Sequence, residues 1–201
     1  RQGDARSELR VLMRGPVLAA LGLTVVGASA MFTVFTYITP ILRDQTHGSI
    51  GFVTAMLVLY GVGLTIGNWL GGRFADRSVD RTLIVTLAAL TAILIAFAFA
   101  MPFAGPTAVL IFLWGIASFA LVPPLQVRVM SAAADAPNLA SSMNIGAFNL
   151  GNAIGAALGG AVIAAGLSLP FVAIAGAAAS SLGLIALLLS RRSGAPRAAT
   201  A

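Results

Sequence analysis

The charged side chains best placed to do chemistry in this sequence lie in one short segment. Asp76, Arg77, Asp80 and Arg81 follow an apolar, glycine-spaced stretch that ends at Gly72. A carboxylate just past the C-terminal end of a helix meets the negative end of the helix dipole. We therefore expect Asp76 to need a partner, which Arg77, Arg81 or the N-terminal end of another helix would supply. The alternative is a solvated turn whose arginines only set the orientation of a membrane protein.

The residues needed for covalent or metal-assisted catalysis are sparse. His47 is the single histidine, and the sequence has neither cysteine nor lysine. An intramembrane serine protease would need a base within reach of its serine, and no such base occurs in an apolar segment. We therefore predict that the protein is not an enzyme and has neither a cofactor nor a metal site.

Uncharged polar and aromatic residues inside the apolar segments are candidates for binding a small molecule, because polar groups are costly in a bilayer. Serine and threonine hydroxyls can instead bond to their own helix, and aromatic rings can simply fill the core. For Asn144 and Asn152 the choice between interhelical hydrogen bonding and cavity lining is open. The candidates are Thr33, Thr36, Tyr37, Trp114, Ser118, Gln126, Asn144, Phe148 and Asn152.

Composition indicates a membrane protein. The chain of 201 residues is 59% hydrophobic and 9% charged, whereas soluble domains are about 25% charged. Six apolar segments are long enough to cross a bilayer as helices, which satisfy their own backbone hydrogen bonds. Short linkers make neighbouring helices antiparallel, so the predicted fold is an all-α bundle. The predicted spans are about Gly15–Pro40, Ser49–Gly72, Thr82–Met101, Thr107–Val127, Leu139–Ala165 and Phe171–Ser190.

The arginine positions predict orientation. With six spans, eleven of the twelve arginines fall on one side of the membrane and only Arg43 on the other. The positive-inside rule makes the arginine-rich side cytoplasmic. The expected organisation is a cytoplasmic linker over 1–14, a bundle over 15–192 and a cytoplasmic tail over 193–201. The polar start lacks a signal peptide and suggests a piece of a longer protein, and the scattered arginines argue against nucleic acid as a partner.

A glycine pattern occurs twice and predicts an internal repeat. Gly-x-x-Ile-Gly-x-x-Leu-Gly-Gly begins at Gly63 and again at Gly151, and the same offset of 88 residues carries Gly27 onto Gly115. We predict two three-helix repeats, over about 15–101 and 107–190, and an odd number of spans inverts the second. Small residues allow close helix contact, within this chain or against a missing half. The contact positions are Gly63, Gly67, Gly71, Gly151, Gly155 and Gly159.

The charged turn resembles a signature of the major facilitator superfamily, Gly-x-x-x-Asp-Arg-x-Gly-Arg-Arg. Val79 replaces the second glycine of that signature, and Asp80 stands where a basic residue is usual. The resemblance covers residues 11–192. The Phe-Thr-Tyr-Ile-Thr-Pro segment ending at Pro40 and the Gly-Asn-Trp-Leu-Gly-Gly segment also resemble the drug and sugar efflux branch. The matching positions of the turn are Gly72, Asp76, Arg77 and Arg81.

This resemblance implies the C-terminal six-helix half of a twelve-span transporter in the cell inner membrane. Its expected partners are the lipid bilayer, the N-terminal half of the same protein, a small-molecule substrate and protons. The implied activity is export of an amphipathic drug or a sugar, with Asp76 docking on a helix end of the other half as a gate. No acid lies inside an apolar segment, so the proton-coupling carboxylate is expected in the missing half, and this chain alone should transport nothing. The alternative is a membrane module for sensing or assembly.

Overall fold

The computed structural model describes residues 10–193, and within that range its regular structure is entirely helical. α4 and α5 together form one span, so six spans are long and apolar enough to cross a membrane. The predicted all-α fold with six spans is confirmed. The terminal segments 1–9 and 194–201 lie outside the described residues. The helices are α1 (Gly15–Phe35), α2 (Ile50–Ala75), α3 (Val79–Ala100), α4 (Ala104–Ala120), α5 (Val122–Ala132), α6 (Pro137–Ala164) and α7 (Pro170–Ser193).

Serine caps set the beginning of two spans. The hydroxyls of Ser49 and Ser78 accept hydrogen bonds from backbone N–H groups three residues further on, which satisfies donors that a helix N-terminus leaves unpaired. The α3 helix therefore begins at Val79 and includes the polar residues up to Thr82, where the sequence predicts its start. Hydrophobicity alone places the boundary too late, because a capped helix extends beyond the apolar core of a bilayer.

Prolines shape the first and fourth spans. The fourth span is interrupted at Leu121, just before Pro123 and Pro124. Proline has no N–H to donate and disfavours helical geometry in the residue before it. The first span leaves regular α-helix after Phe35 and continues through a short turn, Ile38–Pro40, and a π-helical turn over Ile41–Gln45. Both irregular stretches lie within candidate binding spans.

Helix contacts show the two repeats directly. The two most extensive pairings are α1 with α6 and α2 with α4, and they are equally extensive. If the first, second and third spans are exchanged with the fourth, fifth and sixth, the α1–α6 pair becomes the α2–α4 pair. The same exchange relates α1–α7 to α3–α4, and α3–α7 maps onto itself. The bundle is therefore two three-helix repeats that pack across a pseudo-twofold axis, inverted as the odd span number requires.

An apolar stripe on α3 anchors the core between the repeats. Leu83, Leu87, Leu90, Leu94 and Phe97 recur at alternating steps of four and three and are all buried. This spacing keeps one face of the helix directed at its neighbour. The Ser180 hydroxyl of α7 donates to the Leu87 carbonyl oxygen across the interface at 2.9 Å. The contact between α3 and α7 therefore combines apolar packing with a buried hydrogen bond.

The outer surface is apolar, as the membrane prediction requires. Large hydrophobic side chains such as Val85 and Phe99 are 65% and 74% exposed. Contiguous exposed apolar surface is rare on soluble monomers. Lipid or further protein must therefore cover it.

Candidate functional site

The glycines of α2 bring its backbone against that of α4. A Cβ atom placed on Gly63 would lie 2.6 Å from the Phe112 carbonyl oxygen, and one on Gly71 would lie 2.5 Å from that of Ala120. A Cβ on Gly67 would overlap the Ile116 carbonyl oxygen. Real Cβ atoms do not approach backbone this closely, so the two helices can pack this way only because these positions lack side chains.

The second glycine series makes the equivalent contact between α6 and α1. Cβ atoms on Gly155 and Gly159 would lie 2.5 and 2.8 Å from the carbonyl oxygens of Ser29 and Thr33, and one on Gly151 would overlap that of Val25. Every one of these glycine positions therefore packs within the described chain rather than requiring a missing half.

The equivalence corrects one detail of the sequence repeat. Gly115 packs against Gly63 in the first interface, whereas Ala28, not Gly27, packs against Gly151 in the second. The α1 positions are therefore related to those of α4 by an offset one residue smaller than the glycine motifs suggest. Gly27 instead faces the side chains of Leu121 and Leu125, because a difference of one residue rotates a helical position by about 100°.

An aromatic cluster lies beside the first glycine interface. Trp114 is fully buried, with ring centroids of Tyr60 at 4.4 Å and Phe97 at 6.1 Å, and Phe35 stacks on Tyr60 at 5.2 Å. The Trp114 Nε1 donor is buried without a hydrogen-bond partner among the described residues. Buried donors without an acceptor are rare in protein interiors, because such a group loses its hydrogen bonds to water and gains none within the protein.

Ser118 is one helical turn from Trp114 and is also fully buried. Its oxygen has no partner of good hydrogen-bond geometry among the described residues, and the Tyr60 hydroxyl is the polar group beside it. Tyr60 and Ser118 therefore form a loose polar pair rather than a fixed bond, next to the unpaired indole N–H.

A chain of side-chain hydrogen bonds connects α1, α5 and α6. The Thr24 hydroxyl donates to Asn144 Oδ1 at 2.7 Å, and Asn144 Nδ2 donates to Gln126 Oε1 at 2.5 Å. Gln126 Nε2 in turn donates to the Ser141 hydroxyl at 2.7 Å. Asn144 is 5% exposed, so its amide is engaged in interhelical bonding. Thr24 is not among the residues that the sequence singles out, since a threonine in an apolar helix gives no signal of its partner.

Tyr37 also links two helices. Its hydroxyl donates to the Ala156 carbonyl oxygen at 2.9 Å, and its ring lies where a Cβ on Gly159 would be. The hydroxyls of Thr33 and Thr36 bond within α1, to the carbonyl oxygens four residues earlier. Thr33 is buried whereas Thr36 is exposed. Of these three residues, Thr36 is therefore the one that faces out of this chain.

Phe148 and Asn152 lie on α6 at half-buried positions. The Phe148 ring meets Phe32 of α1 edge to face at a centroid distance of 6.1 Å. Asn152 Oδ1 is buried without a partner among the described residues. The two asparagines therefore differ in the structure. The Asn144 amide both donates and accepts an interhelical hydrogen bond, whereas Asn152 Oδ1 is an unpaired acceptor among the described residues.

In the charged turn, Asp76 has neither of the two arginine partners that the sequence offers. Asp76, Arg77 and Arg81 are exposed, and none of them forms an ion pair among the described residues. Neither arginine is therefore the partner of Asp76 in this structure, and the third expected partner, the N-terminal end of another helix, stays a prediction. Gly72 is in open space, with no neighbouring atom where a Cβ would lie.

Asp80 instead holds the ionic contacts of this region. Its carboxylate lies 2.6 Å from Arg128 Nη1 and 3.4 Å from Arg191 Nε. These pairs tie the start of α3 to α5 and to the end of α7. A separate pair joins Arg14 to Asp135 at 2.7 Å. The two clusters bring charged residues from five different segments to one end of the bundle, as the alternation of spans predicts.

The arrangement defines the class of protein. Two inverted three-helix repeats are a construction that many secondary transporters use. The chain belongs to the Major Facilitator Superfamily, whose profile matches residues 9–201.

Known relatives extend this comparison. The chain is 54% identical over 189 residues to the inner membrane transport protein YdhP of Escherichia coli K12, which covers 94% of the chain and 49% of that protein. It is 33% identical to a probable sugar efflux transporter of Helicobacter acinonychis, over 93% of the chain and 47% of that protein. It is also 33% identical to the uncharacterized MFS-type transporter YtbD of Bacillus subtilis, over 78% of the chain and 41% of that protein. The chain thus spans about half the length of the curated relatives it matches.

Proposed function

We propose that the chain is one half of a secondary active transporter that exports a small molecule, a sugar or an amphipathic drug, by proton antiport and alternating access. The observation that carries this proposal is the inverted pair of glycine interfaces, α2 on α4 and α6 on α1. These interfaces lock the two triplets together, so the six-helix bundle can rock as one unit against a second bundle about a site near the membrane midplane. We infer a multi-pass protein of the cell inner membrane with both ends cytoplasmic, because the arginines concentrate at one end.

The remaining six spans are proposed to come from the N-terminal half of the same protein. The exposed apolar surface is in keeping with such a partner as well as with lipid. Among the described residues of the six spans, Asp80 is the single acid; it lies in the first turn of α3 and is paired with Arg128 and Arg191. Proton coupling needs an ionisable group along the pathway, so we place the coupling carboxylate in that other half.

The polar atoms without partners are the proposed substrate contacts. Asn152 Oδ1 offers an acceptor, Thr36 faces out of the chain, and Trp114 Nε1 offers a donor once the aromatic cluster that buries it opens. Amides and aromatic rings together suit a sugar, whose hydroxyls pair with amides and whose apolar ring faces stack on aromatics. The name of the Helicobacter relative, a probable sugar efflux transporter, favours the sugar over the drug.

The charged turn is proposed as the gate between the two halves. Asp76 is exposed and free of ion pairs among the described residues, so its carboxylate is available to dock on a positive helix end of the other half. Such a contact would hold one conformation closed and release it in the other. Replacement of Asp76 by Asn in the full-length protein should reduce transport turnover, and unchanged turnover would remove the gate from the proposal.

The substrate contacts can be tested by two variants. Asn152→Leu removes an unpaired amide with little change of volume, and Trp114→Phe removes an unpaired N–H while keeping a ring. Neither change breaks a hydrogen bond of the described residues, but Trp114→Phe leaves a cavity beside Tyr60 and Phe97 and costs some stability, so its elution profile must show folded protein. Both should abolish resistance in a growth-inhibition screen that uses cells lacking other exporters and expressing the full-length protein.

Ser181→Ala is the matched control, because the Ser181 hydroxyl bonds only to the Ala177 carbonyl oxygen of its own helix. It should retain full resistance. If the full-length protein confers no resistance to any sugar or drug, the export proposal fails and a sensing or assembly module becomes the better account. If both site variants keep full resistance, the assignment of the contacts fails while export stands.

A further inference from the structure

A groove lies on the surface between the end of α2 and the start of α3. It has a volume of about 340 Å³ and is lined by Phe74, Arg77, Ser78, Arg81, Thr82, Val85 and Thr86. Its two ends differ in character. Arg77 and Arg81 line it near the turn, and the exposed Val85 lines it one helical turn further along α3.

The groove has an uncompensated positive charge. Neither Arg77 nor Arg81 forms an ion pair among the described residues, and no carboxylate of the described chain lines the groove. Of the two nearby acids, Asp80 is engaged with Arg128 and Arg191. Asp76 adds a single exposed carboxylate next to the groove, which leaves a net charge of +1 when it is counted with the two arginines.

The hydroxyl groups of the groove are already engaged. Ser78 Oγ accepts from the backbone N–H of Arg81. The hydroxyls of Thr82 and Thr86 donate to carbonyl oxygens four residues earlier, at 2.8 and 2.7 Å. The donors that remain free in the groove are therefore the two guanidinium groups and the Ser78 O–H, and the two cationic groups favour an anion.

The position of the groove adds a second requirement for its ligand. α2 ends at Ala75 and α3 begins at Val79, so the two arginines lie at the boundary between membrane and water. Phe74 and Val85, 46% and 65% exposed, extend the groove toward the hydrocarbon region. A ligand that fits both parts has an anionic head at the boundary and an apolar chain below it.

We propose that this groove binds an anionic phospholipid, with its phosphate between Arg77 and Arg81 and an acyl chain against Val85. This assignment is independent of the proposed transport activity, since it depends only on the groove and its position at the boundary. The same two arginines would hold the charged turn in place whenever the lipid is bound. Binding would thereby make the turn sensitive to lipid composition.

The test is native mass spectrometry of the full-length protein in detergent, titrated with dioleoyl-phosphatidylglycerol and, separately, with zwitterionic dioleoyl-phosphatidylethanolamine. Each arginine near a membrane surface contributes about fivefold to anionic lipid affinity. We therefore expect Arg77→Gln to lower the affinity for the first phosphatidylglycerol molecule by about fivefold. The double variant, Arg77→Gln with Arg81→Gln, should lower that affinity by about thirtyfold. Phosphatidylethanolamine binding should not change.

Arg43→Gln is the matched control, because Arg43 is exposed at the opposite end of the bundle. Its affinity for phosphatidylglycerol should equal that of the wild type, and the elution profile of every variant should show folded protein. Equal affinity of the wild type for the two lipids would overturn the proposal, as would an undiminished affinity of the double variant. An equal loss in Arg43→Gln would show general attraction of the surface for anions and would overturn it as well.

Discussion

Substitution of Gly67 by alanine tests the packing of the two repeats most sharply. A Cβ atom at this position would overlap the carbonyl oxygen of Ile116 and lie 2.9 Å from both its carbonyl carbon and its Cα atom. All three atoms belong to the α4 backbone and cannot rotate away. The helices would have to separate, which would weaken the contacts along the whole α2–α4 interface.

The expected size of this effect follows from two opposing contributions. Alanine stabilises a helix interior by about 0.5–1 kcal/mol relative to glycine. Overpacking a tight interface costs about 1–3 kcal/mol, and rigid backbone neighbours favour the upper end of that range. The net loss in the free energy of unfolding is therefore about 2 kcal/mol, which lowers the midpoint of thermal unfolding by about 4–8 °C for a domain of this size.

Gly72→Ala provides the matched control, because Gly72 lies on the same helix and no other atom lies within 4 Å of the point that an alanine Cβ would occupy there. It should keep or slightly raise the midpoint, since only the helix propensity changes. The assay is thermal unfolding of the detergent-purified protein, followed by tryptophan fluorescence. A Gly67→Ala variant as stable as Gly72→Ala would refute the backbone contact between α2 and α4.

Three further changes probe the other contacts. Asn144→Ala leaves Gln126 Oε1 without its donor and leaves the Thr24 hydroxyl with its 3.4 Å bond to the Ala20 carbonyl oxygen, and it should lower the free energy of unfolding by about 1–3 kcal/mol. Asn149→Ala, at an exposed position, should cost little, and equal effects of the two changes would contradict the network. Asp80→Asn breaks two ion pairs whose side chains are 26–47% exposed and should lower the free energy of unfolding by up to about 1 kcal/mol at low salt and by less at high salt. Asp135→Asn breaks a more exposed pair and should be close to neutral. A loss of stability in Asp80→Asn that does not depend on salt would refute the ionic account. Ser180→Ala removes a hydrogen bond between spans and should cost about 0.6 kcal/mol in equilibrium unfolding, and no measurable change would show that the bond contributes nothing.

The architecture was predictable because membrane physics leaves few alternatives. Hydrophobic length alone marks the six spans, and the repeated glycine motif indicates the inverted triplets. The partner surfaces of the glycines were not predictable, since the motif says only that some backbone approaches closely. The structure identifies that backbone as α4 for Gly67 and α1 for Gly155. It also shows that Ala28, and not Gly27, occupies the position on α1 that is equivalent to Gly115.

The polar contacts show where sequence reasoning ends. The sequence singles out Asn144 as polar inside a span, but its bond to Thr24 joins residues 120 positions apart, and no local pattern encodes such a pair. In the charged turn, the resemblance draws attention to Asp76, whereas the ion pairs belong to Asp80, the position that departs from the signature. Here the departure from the signature places a carboxylate where arginines of two other helices can pair with it.

The proposed function is movement of a solute by the whole protein, driven by a proton gradient. The most direct measurement is transport by the purified full-length protein in proteoliposomes with an imposed pH difference, using radiolabelled sugars and amphipathic drugs. The account predicts uptake of at least one solute that ceases when an ionophore collapses the gradient and that falls in Asn152→Leu. Uptake of none of them, in liposomes where a known proton antiporter is active, would contradict it.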